Sequence, residues 1–350
     1  MYKNWISFVR FVLLAALGST ALLALAQAPA PSQAVFQYQG SDREARLIEK
    51  AKQEGLVTVY TSLAPTEAKP LVAAFEKKTG IKVNMWRGLS DGVLQRVLSE
   101  ARGNLNAVDV IETNGPEMEA LAREQLLGAF YSPYLADVPS VLLPKHGQWI
   151  PDRLNFFVVA YNTSKVRRED LPKTYEGFLE PKWKGRIALE ATDSEWMAGV
   201  VKAWGTARGT SFFNKLSDMK PALRKGHILL VSLVSSGEID AGLTAYKSEV
   251  ASAKNRGAPV DWAAVEPVIA RPQGIGVAHH APHPNAALLF ADFMLSPQAQ
   301  ELLAGMGRGP VSRKVKSDTS SINYLMSDPS VILDESDKWQ QLWDKMFLKN

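Results

Sequence analysis

The segment VNMWRGLSDGVLQRV, Val83 to Val97, sets a guanidinium where an extended run turns into a helix. Ile81, Val83 and Met85 alternate with Lys82, Asn84 and Trp86, the period of a half-buried strand. Ser90 is suited to cap a helix whose apolar face is Val93, Leu94, Val97 and Leu98. The first N–H groups of such a helix have no intrahelical acceptor, and with Arg87 beside them they suit a carboxylate or phosphate. The same anatomy serves any strand-to-helix junction, and the alternation does not say whether Trp86 or Arg87 turns inward.

Other residues invite chemistry and give less. His279, His280 and His283 form HHAPH, crowded enough for a metal but equally a loop that enters a helix at His283–Pro284. His146 and His227 stand alone in the sequence. The motifs GxSxG, HExxH, Walker A and a GxGxxG following a strand are absent, and GMGRGP after a helix reads as a turn. An enzyme would need a nucleophile and base such as Ser194 with Asp193 and a histidine, which no spacing favours. With no cysteine, thiolate chemistry and disulfides are excluded.

Lys3 and Arg10 precede the apolar run Phe11–Ala26, which is followed by small residues and proline. That is the pattern of a secretory signal peptide over residues 1–28, cleaved after Ala26, Ala28 or Ala34; a retained anchor is the alternative. Removing those two cations takes 40 basic residues to 38 against 36 acidic ones, so the mature charge is about +2. There is no basic block to hold nucleic acid; KVRR, Lys165 to Arg168, is followed by Glu169 and Asp170. About 320 mature residues suggest two domains.

Strands are expected at Leu56–Tyr60, Ile81–Met85 and Val108–Ile111, each followed by a helix, the last from Pro116 to Leu127. Such alternation means a parallel α/β sheet covered by helices. The ends of the three strands present Thr61 and Ser62, Trp86 to Ser90 with Gly88 between them, and Glu112, Thr113 and Asn114. Ligands bind beyond such ends in open α/β sheets. A second α/β unit follows Asn155–Ala160, with a strand at Arg186–Leu189 ending in Glu190, Thr192, Asp193 and Ser194. VEPVIARPQGIGVAHH holds two β-prone pieces separated by Arg271–Gly274, and the aromatic-rich C-terminus would dock on the rest.

The ordered segments EGLVTVYTS, FEKKTGIKV, DVIETNG, VVAYNTSKV, WKGRIAL, SSGEIDAGLTAY and HPNAALLFADFMLSPQAQELL resemble the extracellular solute-binding proteins of ABC importers. The nearest group comprises the iron(III)-binding proteins and their relatives for small organic and phosphorus-containing solutes, and the resemblance runs from about Gly55 to Val311. It implies a periplasmic binding protein-like (type II) fold: two α/β lobes joined by crossover strands, closing on a ligand in the cleft. Lobe 1 would span 35–159 with a return segment 274–312, lobe 2 would span 160–273, and 313–350 would be a helical tail. The crossovers would lie near Val158–Tyr161 and Gly274–Val277.

The family pattern places Thr61, Ser62, Trp86, Arg87, Gly88, Ser90, Glu112, Thr113, Asn114 and Tyr161 at the ligand, closed over by Thr192, Asp193, Ser194, Glu195 and Tyr246. Iron-binding members carry adjacent tyrosines just after the GEIDAGL segment. Here Lys247 and Ser248 fall at those positions, and a lysine would repel a metal cation. The resemblance therefore implies a monomeric periplasmic binding component, without a cofactor, for a small anionic or zwitterionic solute. Its partners would be a membrane permease and ATPase. An iron(III)-binding protein, a sensory subunit and a cleft hydrolase are the alternatives.

Overall fold

The computed structural model describes residues 31–348; the leader expected over 1–28 lies outside them. Among the described residues no helix is long and apolar enough to cross a membrane.

Two helices, α1 (Pro31–Phe36) and α2 (Arg43–Glu54), open the described chain. Gly55 ends α2 at φ 80°, a left-handed turn in which a side chain would be strained. Three parallel strands follow, β1 (Leu56–Thr61), β2 (Lys82–Arg87) and β3 (Val110–Asn114), each leading into a helix: α3 (Pro65–Thr79), α4 (Ser90–Arg102) and α5 (Gly115–Arg123). Helix α5 stops short of the expected Leu127 because Gln125 takes φ 58°. That reversal lets β4 (Leu127–Gly128) join the sheet.

The long strand β5 (Trp149–Asn162), buried throughout, leads into the second lobe. There β6 (Ile187–Glu190), α6 (Ser194–Trp204), α7 (Thr206–Asp218), β7 (Ala222–Arg224), α8 (His227–Ser236), β8 (Ala241–Tyr246), α9 (Lys247–Asn255) and β9 (Val260–Ala263) follow in order. The strand β10 (Ile269–Ala278) returns to the first lobe, where α10 (Pro284–Leu295) and α11 (Pro297–Gly305) cover the sheet. The remaining elements are β11 (Gly309–Pro310), β12 (Leu325–Met326), α12 (Pro329–Asp334) and α13 (Ser336–Trp343).

The strand order is β2-β1-β3-β10-β5-β8-β6-β7. β5 pairs with β10 through Phe156 and with β8 and β9 from Phe157 onward, so it hands over from one sheet to the other between those residues. Residues 274–277 of β10 pair with β3 inside lobe 1, so the return crossing lies earlier than Gly274–Val277, around Ile269–Gln273. The expected interruption at Arg271–Gly274 is absent. β10 is continuous, and a register shift between Gln273 and Gly274 accommodates the segment containing Pro272.

Each lobe has its own core, with Phe75, Ile111 and Phe290 in the first and Trp183, Trp196 and Phe213 in the second. A third cluster, including Leu154, Phe156, Val158, Ala245 and Val268, surrounds the strands that join them. The C-terminal tail touches both lobes. Helix α12 packs on α5, while Trp339, Trp343 and Met346 are buried in the second core. Each such side chain contributes up to about 1.5–3 kcal/mol by leaving water.

Candidate functional site

Registry decides which way the strand ends point. Thr61, Arg87 and Glu112 lie side by side in one row, and Tyr60, Trp86 and Ile111 form the row before it. Successive residues of a strand face opposite sides, so the two rows serve different faces. Trp86 meets Tyr60 edge-on at 5.4 Å, and Arg96 of α4 lies over both rings at 4.5 and 4.4 Å. Trp86 is therefore packed beneath α4. A Cβ on Gly88 would stand 2.6 Å from its ring, so only glycine fits that seat.

Arg87 takes the other face and is exposed. Its Nε donates to the Leu63 carbonyl at 3.2 Å, and among the described residues no carboxylate lies within ion-pair reach. Ser90 is not the cap: Leu89, extended at φ −71° and ψ 160°, precedes the first turn, and Ser90 is already helical.

The rest of that rim is largely engaged in holding the fold. Thr61 Oγ1 donates to Glu112 and accepts the Leu63 N–H at 2.9 Å. The Glu112 carboxylate meets Arg153, whose Nη1 also donates to Asp152 at 2.9 and 3.1 Å. All three charged groups are within 1 % of complete burial. Burial pushes Asp152 up to about 7. Glu112 is thus half of a buried ion pair. Asn114 Oδ1 accepts from Gln273 Nε2 at 2.8 Å. The hydroxyls of Ser62 and Thr113 are buried without a protein partner.

The second lobe divides similarly. Tyr161 is 3 % exposed and belongs to the lobe core, which removes it from the site: its place in β5 turns it into the packed face. Glu195 is buried against Arg271 and the Ser327 hydroxyl. Ser194 Oγ donates to Gln340 at 3.3 Å, and Thr192 donates through N–H and Oγ1 to Glu190 at 2.6 and 2.7 Å. Tyr246 Oη accepts from Arg271 Nη1 at 2.7 Å. Its ring stacks on His227 at 3.5 Å, and burial raises its pKa well above the usual phenol range.

Asp193 is buried, with Oδ1 3.4 Å from His227 Nε2 and Oδ2 without a partner. Burial raises its pKa against the attraction of His227. Lys247, expected to face a ligand, points away: Nζ is 2.7 Å from Asp318 and 3.4 Å from the Gly307 carbonyl. Its charge is answered there, so the expected repulsion of a metal does not follow.

Groups the sequence did not single out complete the junction. Arg308 joins Glu67 of α3 and lies 4.0 Å from Glu249 of α9. Glu117, half-buried as a residue but with Oε2 sealed from solvent, is pushed to about 7 by burial despite Arg271 nearby. His227 stands at the first turn of α8 after Gly226, a signal visible in sequence once that helix start is placed. In HHAPH, His283 binds Asp109 through its backbone N–H at 2.7 Å and Nδ1 at 2.9 Å, the helix-entry role. Among the described residues the histidine–carboxylate trio within reach of one ion is Glu190, Asp193 and His227.

The pattern of the bacterial extracellular solute-binding proteins matches residues 70–326. Iron uptake protein A1 of Synechocystis sp. is 28 % identical over 322 residues, covering 82 % of this chain and 87 % of that protein. Iron-bound HitA from Pseudomonas aeruginosa superposes with TM-score 0.72 at 23 % identity, over 83 % of this chain and 99 % of HitA. AfuA from Actinobacillus pleuropneumoniae, solved with fructose-6-phosphate, gives 0.73 at 19 % identity, over 85 % and 100 %. The two-lobed α/β fold is that of the periplasmic binding proteins. The match over residues 70–326 makes this chain a member of the bacterial extracellular solute-binding protein family.

Proposed function

We propose that this solute-binding protein is exported through a cleaved leader and works as a monomer in the periplasm. It delivers a small anionic or zwitterionic solute, a carboxylate, phosphonate or phosphate ester, to the permease and ATPase of an ABC importer. Arg87 carries the anionic part. The other arginines at the lobe junction are matched: Arg153 with Glu112 and Asp152, Arg271 with Glu195, Arg308 with Glu67. Arg87 has only the Leu63 carbonyl on Nε, which orients the guanidinium and leaves its outer edge for a forked bond to an oxyanion. The unpartnered Ser62 hydroxyl, in the loop that follows β1, is a companion donor. Native mass spectrometry of gently purified protein should reveal a co-purified anion. Calorimetry with that compound on wild type, Arg87→Ala and Arg87→Lys tests the role; equal affinities would overturn it.

A second reading, ferric iron, is favoured by the names of relatives such as iron uptake protein A1. Against it, Tyr246 is the single phenol at these loops, its oxygen accepts from Arg271, and burial opposes its ionisation. Iron(III) bound through phenolate needs the ionised form. On adding iron(III) citrate we expect no phenolate-to-iron charge-transfer band; a stoichiometric coloured complex would establish the iron reading.

A further inference from the structure

From Glu190, Asp193 and His227 we infer a divalent transition-metal site in lobe 2, of the zinc class, built from one imidazole and two carboxylates. The three residues come from different places: the end of β6, the residue before α6 and the first residue of α8. One donor atom from each lies within 4.8 Å of the others.

Three observations favour an ion over an ordinary ion pair. His227 Nδ1 is 3.0 Å from the Thr244 carbonyl, which fixes the proton on Nδ1 and turns the Nε2 lone pair toward Asp193. The Nε2 to Oδ1 separation is 3.4 Å, long for a charge-assisted hydrogen bond, which runs about 2.7–2.9 Å. It matches the edge between two ligands of a tetrahedral ion with bonds of about 2.0–2.1 Å. Finally, Asp193 is only 2 % exposed; His227 and the Thr244 side chain lie near its carboxylate, yet its Oδ2 has no hydrogen-bond partner, and burial penalises an oxygen left so unless a cation answers it.

Glu190 is held in place for the task. Oε2 accepts the Thr192 N–H and hydroxyl, and Oε1 accepts only the Gly226 N–H at 2.8 Å, which leaves that oxygen a lone pair. Imidazole with carboxylates suits zinc and its neighbours rather than calcium or magnesium. Three protein ligands leave a fourth position for water or a donor atom of a solute.

Mature protein without a histidine tag, stripped with chelator, should bind one zinc ion per chain by calorimetry, and zinc should raise its melting temperature. Asp193→Asn, Glu190→Gln and His227→Ala should each weaken binding by more than the roughly 10- to 100-fold that loss of an outer-shell partner costs. Cobalt(II) in place of zinc should give the intense visible spectrum of a four-coordinate ion, lost in Asp193→Asn. The double variant His279→Ala/His280→Ala should bind as wild type does. Absence of zinc binding to wild type, equal binding by Asp193→Asn, or loss only in the 279/280 variant would overturn the site. The readout needs no knowledge of the imported solute, so it fails or succeeds independently of the Arg87 reading.

Discussion

At the rim of lobe 1, the strand ends settle their carboxylate internally and leave a cation over. Glu112 is sealed against Arg153, while Arg87 stands exposed with the Leu63 carbonyl on its Nε. At the rim of lobe 2 the balance is reversed. Arg271 is consumed by Glu195 and Tyr246, and Asp193 is left buried with one oxygen unpartnered. Both rims are the loops after parallel strands, so the topology alone would make them alike. The difference lies in which charge each lobe neutralises from within. A buried carboxylate oxygen without a partner is penalised unless a cation reaches it, so the two rims invite charges of opposite sign.

The comparison is broken most severely at a matched arginine. Arg153→Met would strand Glu112 and Asp152 without a cation, and removing one partner of a buried pair costs about 3–5 kcal/mol. Urea unfolding should show that loss whether or not solute is present. A change confined to affinity would mean that Arg153 belongs to the site and not to the frame. Arg87 should behave in the opposite way. A charge-assisted hydrogen bond contributes about 1.5–3 kcal/mol, so Arg87→Ala should weaken solute binding about 10- to 150-fold with an unchanged apo melt. Lysine should restore only part, lacking the fork. Calorimetry paired with melts of the apo proteins separates binding from folding, and lost stability with retained affinity would make Arg87 structural.

Glu117 sharpens the comparison through pH. Its pKa rises from 4.5 to about 7 on folding, chiefly from burial. The folded state therefore holds the proton more tightly, and stability falls as pH rises from about 4.5 to about 7, levelling off above that. Glu117→Gln should remove that decline, on the order of 1–3 kcal/mol, and be more stable than wild type at pH 8. Parallel urea curves at pH 5 and pH 8 check it; an unchanged difference between the two would show Glu117 ionised as ordinary carboxylates are.

The smallest effect concerns the tail. Trp343 Nε1 donates to the Ala191 carbonyl at 2.8 Å, beside the loop carrying Thr192 and Asp193. Trp343→Phe should cost about 1 kcal/mol. Hydrogen exchange should speed up at Thr192–Ser194 and not at the Arg87 loop, and a uniform change would deny the tail a local role.

Much of this architecture was legible from local pattern. Alternation at Ile81–Met85, and glycine after the helices at Gly55 and Gly80, mark strands and helix ends because backbone preference acts over a few residues. The rows of polar residues at strand ends followed from the same pattern, so Arg87, Thr61 and Glu112 could be named together. Which of them is spent could not. Arg153 lies 41 positions after Glu112, and Arg271 lies 76 after Glu195; charge neutralisation acts through space, and sequence spacing carries no trace of it. The same limit hid His227, which reads as isolated until α8 sets it beside Asp193 and Tyr246. The direction of Trp86 against Arg87 was also a tertiary decision. Alternation says that neighbours face opposite ways, but only the docking of α4, with Arg96 laid over Tyr60 and Trp86, says which face is covered. By itself the sequence determined the elements, their order and the polar loops between them. The three-dimensional pairing of distant charges decided which polar residues hold the fold and which are left for a ligand, because a buried charge must be answered by whatever lies nearest in space.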